Sequence, residues 1–473
     1  MLPMNTPHPV KKNSIHEVTI ESIAFGGKGI ARLSDYVIFV RDALPGQLLR
    51  VKIIKRKPQY AEAIIEEIVK ESPHFIPPPC PYFSDCGGCS FQNLDYATQC
   101  QIKEQQIRDV FSRLGRLDAT ILPVKGAPVL WGYRNKMEFS AGTERWFMKE
   151  NDPGTPRDFA LGLHAPRRFD KILDIESCLL QDDERNTLFQ EIRKEVKKEG
   201  LSLYNARTHE GYLRNVVIRK GYHTGDIMVN FVTRDDAPER LTPVVEHILR
   251  RFPSVTTVVN NISDSLGMTA FGQKEWRLHG PGIIHDRIGV IQYEISANSF
   301  FQTNTSGAEQ LYSLVEDFAE LTGQETVWDL YCGTGTIALY LSQKAKQVLG
   351  FEMIRDAVQN ARQNAKKNDI SNCHFFEANL DTFFQKNPDL IQSLPGPDLA
   401  VVDPPRAGLH PDFIQQLIHL APPKIVYVSC NPATQARDAA LLVENGYSLV
   451  KIQPVDMFPH TPHIESVALL TKT

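Results

Sequence analysis

Residues 329–338 read Asp-Leu-Tyr-Cys-Gly-Thr-Gly-Thr-Ile-Ala and overlap the end of the apolar run TVWDLY (326–331). A short apolar run, then glycines, then helical spacing predicts a strand, a ligand loop and a helix. Gly333 and Gly335 let the backbone approach a ligand closely, and the helix start behind them supplies oriented N–H groups. The spacing is formally G-x-G-x-x-A, so an NAD-dependent oxidoreductase is one reading. Asp329, four residues ahead of Gly333, weighs against it. A carboxylate there repels a pyrophosphate but suits the positively charged methionine end of S-adenosylmethionine. Glu352 ends the next apolar run, QVLGFE (347–352), where an acid can accept hydrogen bonds from the ribose hydroxyls of either cofactor.

Outward from this loop, apolar runs and helical stretches alternate from about residue 290 to the end. CHFFEAN (373–379), DLAVVD (398–403) and KIVYVSC (424–430) are the further predicted strands, and IRDAVQNARQNAKKND (354–369) is one of the helices between them. That order predicts an α/β, doubly wound, mostly parallel sheet with ligands at the C-terminal strand ends. Two of those ends carry chemistry. The fourth strand stops at Asp403-Pro404-Pro405-Arg406, where two prolines hold a carboxylate in extended chain. The fifth stops at Cys430, before Asn431 and Pro432. Glu465 precedes a final apolar run, in PHTPHIESVALL. Alone, Cys430 reads as a buried thiol and DPPR as a turn. His460 and His463 have no third ligand nearby, so a structural role is expected of them.

The front of the chain is of another kind. Residues 15–69 alternate as short strands joined by glycine turns, predicting a small β-barrel. Arg50, Lys52, Lys55, Arg56 and Lys57 crowd one stretch of it, either as a charged edge strand or as a phosphate-tracking groove. The proline-rich SPHFIPPPCPYF (72–83) marks a boundary, so the predicted domains are 1–72, 73–285 and 286–473. Residues 1–285 carry a net charge of +4 and 286–473 a net of −8, which assigns any polyanion mainly to the front. No signal peptide or membrane-spanning run is present, so the cytoplasm is the expected compartment. There, eight cysteines stay reduced. Cys80, Cys86 and Cys89, with Gly87-Gly88 between, have the spacing of a metal centre; structural zinc and an iron–sulfur cluster both fit, with Cys100 or Cys178 as fourth ligand.

Methylating a poorly nucleophilic carbon such as C5 of uracil requires activation. A thiolate adds to C6, C5 then attacks a sulfonium methyl group, and a base removes the C5 proton so that the cysteine can leave. With a normal thiol only a few per cent ionised at pH 7, activation of Cys430 by its surroundings is expected. SCNPAT, DPPR, HTPHIE and DLYCGTGT together resemble the S-adenosylmethionine-dependent RNA uracil-5-methyltransferase family, and the resemblance spans essentially the whole chain. It implies a Rossmann-like class I methyltransferase domain, an N-terminal TRAM (OB-like) barrel that favours the RNA-binding role for residues 50–57, and a central α+β iron–sulfur domain. It implies Cys430 as nucleophile and Glu465 as base, with Gln302, Tyr331, Thr336, Glu352, Asn379 and Asp403 around cofactor or uracil. Position 336 departs from the pattern, since several members carry Asn there. A [4Fe–4S] cluster on Cys80, Cys86, Cys89 and Cys178 is likewise implied, leaving Cys100, Cys332 and Cys373 structural. Members with both a TRAM domain and the cluster most resemble those that modify 23S ribosomal RNA, with a tRNA uridine the alternative. The chain is expected to act as a monomer, and a non-catalytic RNA-binding protein is the remaining different-class reading.

Overall fold

A computed structural model describes residues 9–148, 156–267 and 270–473. In the first region, six strands pair in the order Ile15–Thr19, Leu48–Arg56, Tyr60–Lys70, Tyr36–Val40, Gly29–Leu33 and Ser22–Ile23. Period-two alternation sends Leu49, Val51 and Ile53 to a core shared with Val18, Ile38 and Ala61. Register shifts between Leu48–Arg56 and Tyr60–Lys70 curl the sheet. The same alternation points the basic run outward, where Arg50 pairs with Glu67 at 2.7 Å, Lys52 with Glu66 at 3.7 Å and Lys55 with Glu62 at 3.1 Å. Three of its five charges are therefore matched on the neighbouring strand, and only Arg56 and Lys57 lack a salt bridge among the described residues.

The central region is α+β, as expected. Its eight-stranded sheet carries the helices Asp183–Lys198 and Thr242–Arg251, packed through Leu188, Phe189, Ile192 and Ile248. The expected boundaries are not clean. Residues 283–296 form one hairpin, Ile283–Ile288 with Ile291–Ser296, whose Ile284, Ile288 and Tyr293 join the core of the C-terminal region. Helix Tyr96–Val110 packs Ile107 and Val110 against that region as well, and Thr120–Ile121 adds an edge strand to its sheet.

The C-terminal sheet runs Cys373–Glu377, Gln347–Glu352, Thr326–Leu330, Leu399–Val402 and Lys424–Ser429, all parallel. Glu465–Lys472 then pairs antiparallel with Lys424–Ser429, and Tyr447–Val455 lies beyond it. The strand order reverses beside Thr326–Leu330, which puts the ligand crevice at the ends of the three strands the motifs terminate. Burial on both faces explains the unbroken apolar runs: Val327, Trp328, Val401, Val402, Val426 and Tyr427 are inaccessible to solvent. Among the described residues, no helix is long and apolar enough to cross a membrane.

Candidate active site

The strand Thr326–Leu330 delivers the glycine loop to the crevice. Tyr331, Gly333 and Gly335 all adopt positive φ, at 70°, 55° and 77°. Gly335 could not be another residue, because a Cβ there would lie 2.9 Å from Ala361 Cβ and from the Phe375 ring. Helix Thr336–Leu341 starts at once. Glu352 braces the loop from the next strand, accepting from Gly333 N at 3.1 Å and Ile354 N at 2.8 Å. Thr336 hydrogen-bonds the buried Tyr312 hydroxyl at 2.8 Å, and Gln302 lies near the same hydroxyl. Tyr331 packs edge-on against Phe413. Asn379 caps its helix through Asp381 N and is exposed on the rim.

Asp329 lies behind the loop, fully buried, and neither carboxylate oxygen has a hydrogen-bond partner among the described groups. Burial pushes its carboxyl up to about 8, the Asp403 charge adds to this, and the Ala338 amide offsets part of it. An orphaned buried carboxylate is costly unless a cation meets it. The site therefore suits the ammonium and sulfonium charges of S-adenosylmethionine, and the carboxylate is wrong for a pyrophosphate. Asp329→Asn is expected to weaken S-adenosylmethionine binding about 10- to 100-fold, the scale of one charged hydrogen bond, by calorimetry. The same change should stabilise the protein at high pH. The folded-state carboxyl sits above its unfolded value, so its contribution is present in acid and lost as pH rises toward 8. The variant should match the parent near pH 4 and exceed it above pH 8 by on the order of 3 kcal/mol in unfolding experiments.

The reactive strand ends meet by register. Ser429 pairs with Ser466, so the next antiparallel position sets Cys430 directly opposite Glu465. Asp403 follows the adjacent strand, Leu399–Val402, and its amide donates to Leu330 O at 3.3 Å. Burial pushes Glu465 up to about 8, with Asp403 adding and Arg406 opposing, and burial alone pushes Asp403 up to about 7. Each still keeps part of its surface open to the crevice. Both carboxyls are thus poised near neutrality, the pattern of acid–base sites.

Cys430 departs from expectation. Its thiol is raised rather than lowered, chiefly by burial and then by the Glu465 and Asp403 charges, with Arg406 pulling the other way. Arg406 was not among the expected site residues, although it stands in the quoted DPPR. The two motifs are tied: Asn431 caps helix Pro432–Glu444 through Ala433 N, while its Nδ2 donates to Arg406 O at 2.9 Å.

Cys80, Cys86, Cys89 and Cys178 line one cavity of about 270 Å³, also bordered by Gln92 and Arg134. None is in a disulfide. Burial, then the neighbouring thiols, holds Cys178 up to about 12 and Cys86 up to about 11, so neither is poised as a free nucleophile. Among the described residues, no group of three or more His, Cys, Asp or Glu closes on a single metal ion. Cys100 lies outside this cavity, on helix Tyr96–Val110 beside Tyr96, and Cys332 and Cys373 are buried in the C-terminal core.

Loop, orphaned carboxylate and strand ends define a class I, S-adenosylmethionine-dependent methyltransferase domain, and the comparisons agree. Residues 283–473 match the family described as tRNA (uracil-5-)-methyltransferase, and residues 9–65 match the TRAM domain. A Bacillus cereus protein described as an uncharacterized RNA methyltransferase is 39% identical over 468 residues, 98% of each chain. One from Chlorobaculum tepidum is 38% identical over 466 residues, 97% of this chain and 96% of its own. The crystal structure of Pyrococcus abyssi tRNA (uracil-54, C5)-methyltransferase with S-adenosyl-L-homocysteine superposes with a TM-score of 0.75 at 28% identity, covering 96% of this chain and 100% of that one. The chain belongs to the RNA uracil-5-methyltransferase family. The oxidoreductase reading is set aside.

Proposed function

We propose that the chain methylates C5 of a specific uridine in 23S ribosomal RNA through a covalent bond between Cys430 Sγ and C6. The observation that carries this is the facing pair Cys430 and Glu465 at the crevice. S-adenosylmethionine, held by the loop 329–336 and Gln302, with Asp329 behind and Glu352, Asn379 and Asp403 beside it, supplies an electrophilic methyl group. Cys430 gives its proton to a neighbouring base and adds to C6, which moves the ring's electron pair onto O4 and makes C5 nucleophilic. After C5 is alkylated, Glu465 takes its proton, the C–H electrons restore the C5=C6 double bond, and the C6–S bond breaks so that Cys430 leaves as a thiolate. Arg406 beside Cys430 offers that thiolate a counter-charge. The target uridine must leave its stack to reach Cys430, at a cost of a few kcal/mol that loop or single-stranded RNA lowers.

The four-cysteine cavity supports the choice of ribosomal RNA, since the members of the family with both TRAM domain and cluster most resemble that group. A tRNA uridine is the second reading, favoured by the substrate named for the superposed Pyrococcus abyssi enzyme. Mapping 5-methyluridine in 23S rRNA and tRNA, from cells with and without the gene, separates the two. Loss of a methyl group from 23S rRNA is the expected result.

Cys80, Cys86, Cys89 and Cys178 fit a [4Fe–4S] cluster, which takes four thiolates around one cavity. Methyl transfer needs no electron from such a centre, so its role here is structural. Anaerobically purified protein is expected to be brown with about four irons per chain, and Cys178→Ser to lose them. Stoichiometric zinc without iron would overturn the assignment.

A further inference from the structure

The segment between Asp456 and Glu465 carries the base, yet residues from the first half of the chain hold it. Asp456 accepts from Lys103 Nζ at 2.7 Å and from Tyr96 OH at 3.0 Å, and both members of the Lys103–Asp456 pair are fully buried. Tyr133 OH donates to Pro459 O at 3.2 Å. Gly27, in a turn of the TRAM barrel, sits so close to Pro462 that a Cβ on it would lie 3.3 Å from Pro462 Cβ.

His460 is the focus of these contacts. Its backbone takes a positive φ of 65°, its ring stacks on Trp131 at 3.9 Å, and its amide donates to Gln99 Oε1 at 3.0 Å. Its carbonyl accepts two amides at once, Ser90 N at 2.8 Å and Phe91 N at 3.0 Å. Gln99 Nε2 in turn donates to Phe91 O and Leu94 O, at 2.9 and 2.8 Å. Ser90 follows Cys89 directly in the chain. The wall of the cysteine cavity and the clamp on His460 are therefore consecutive residues of one turn.

We propose that the cysteine centre serves the methylation as a mechanical clamp: its ligation orders residues 89–91, which with Gln99 fix His460 and so aim Glu465 at Cys430. Gln99, Ser90 and Phe91 are positioning residues, acting through the loop rather than on substrate. The inference rests on the base and cluster assignments above and adds a function for the cluster that transfers no electron. A strained His460 held by bonds from another domain has little reason to keep its geometry once those bonds go.

The test is hydrogen exchange on the full-length protein, comparing the anaerobic holoprotein, the same protein after iron removal with a chelator, and Gln99→Met. Exchange at residues 460–463 is expected to rise roughly tenfold or more in the second and third samples. Exchange in the strand Val255–Ile262, which does not border the cysteine cavity, and S-adenosyl-L-homocysteine affinity should stay as they were. Gln99→Met should also accumulate protein–RNA adduct on denaturing gels, as a misaimed base would. Iron removal that leaves residues 460–463 unchanged overturns the coupling to the cluster. Faster exchange in Gln99→Met with no added adduct overturns the positioning role. Absence of adduct even in Glu465→Gln would instead indict the base assignment, and absence of iron in the purified protein the cluster.

Discussion

Cys430→Ala is expected to abolish methyl transfer, by at least about 10⁴-fold in single-turnover assays with labelled S-adenosylmethionine, because it removes the proposed nucleophile and not a contact. The fold should barely notice. Cys430 lies half-buried just past the strand Lys424–Ser429, and that strand is anchored by Val426, Tyr427 and Val428, all inside the core. Asn431, not Cys430, makes the bonds that cap the next helix and hold Arg406. Removing one sulfur at such a place costs about 1 kcal/mol or less. Cofactor binding should persist too, since the orphaned carboxylate of Asp329 and the brace from Glu352 are untouched. An inactive protein that folds and binds cofactor normally is the expected combination.

Glu465→Gln should separate the two halves of the reaction. The methyl group still arrives, but the C5 proton has no acceptor and Cys430 cannot leave, so a covalent protein–RNA adduct accumulates. Release should slow by about 10²- to 10⁴-fold, the usual contribution of a positioned base. The acid–base character of the site gives this a second signature. Burial and Asp403 hold Glu465 up to about 8, and it accepts a proton only when ionised. Below that pH, release by the parent enzyme should therefore accelerate up to about tenfold per pH unit and level off above it. The decay of preformed adduct followed by gel at several pH values measures this. Glu465→Gln should show no such rise.

The strands that build the crevice were legible because they are buried on both faces: TVWDLY, DLAVVD and KIVYVSC form unbroken apolar runs that end in polar, functional residues. Gly335 was legible from the spacing of the loop, although what demands a glycine there, the ring of Phe375 on a distant strand, was not. What the sequence hid are the contacts between distant segments. Nothing around Gln99 or Lys103 marks them as partners of His460 and Asp456, since helix Tyr96–Val110 shows only an ordinary amphipathic pattern. The hairpin 283–296 straddles a boundary drawn where strand–helix alternation begins, because its apolar face packs forward into the C-terminal core. The pairing of the charge run at 50–57 was hidden for a related reason: its counter-charges sit on a neighbouring strand that alternation alone does not register. Cys430 shows the limit of reasoning from chemistry. A nucleophile suggests a lowered thiol, but burial raises it first and the two carboxyls that share its pocket add to this.

The claim that most of this depends on is that Cys430 bonds to a uridine while the methyl group is delivered. Ribosomal and transfer RNA transcribed with 5-fluorouridine test it directly, because fluorine at C5 cannot be removed as a proton and the covalent state is trapped. Incubation with methyl-labelled S-adenosylmethionine, proteolysis and mass spectrometry should find a methylated fluorouridine attached to the peptide that contains Cys430, with 23S rRNA the productive partner and Cys430→Ala blank. No adduct with either RNA, or an adduct on another cysteine, would contradict it.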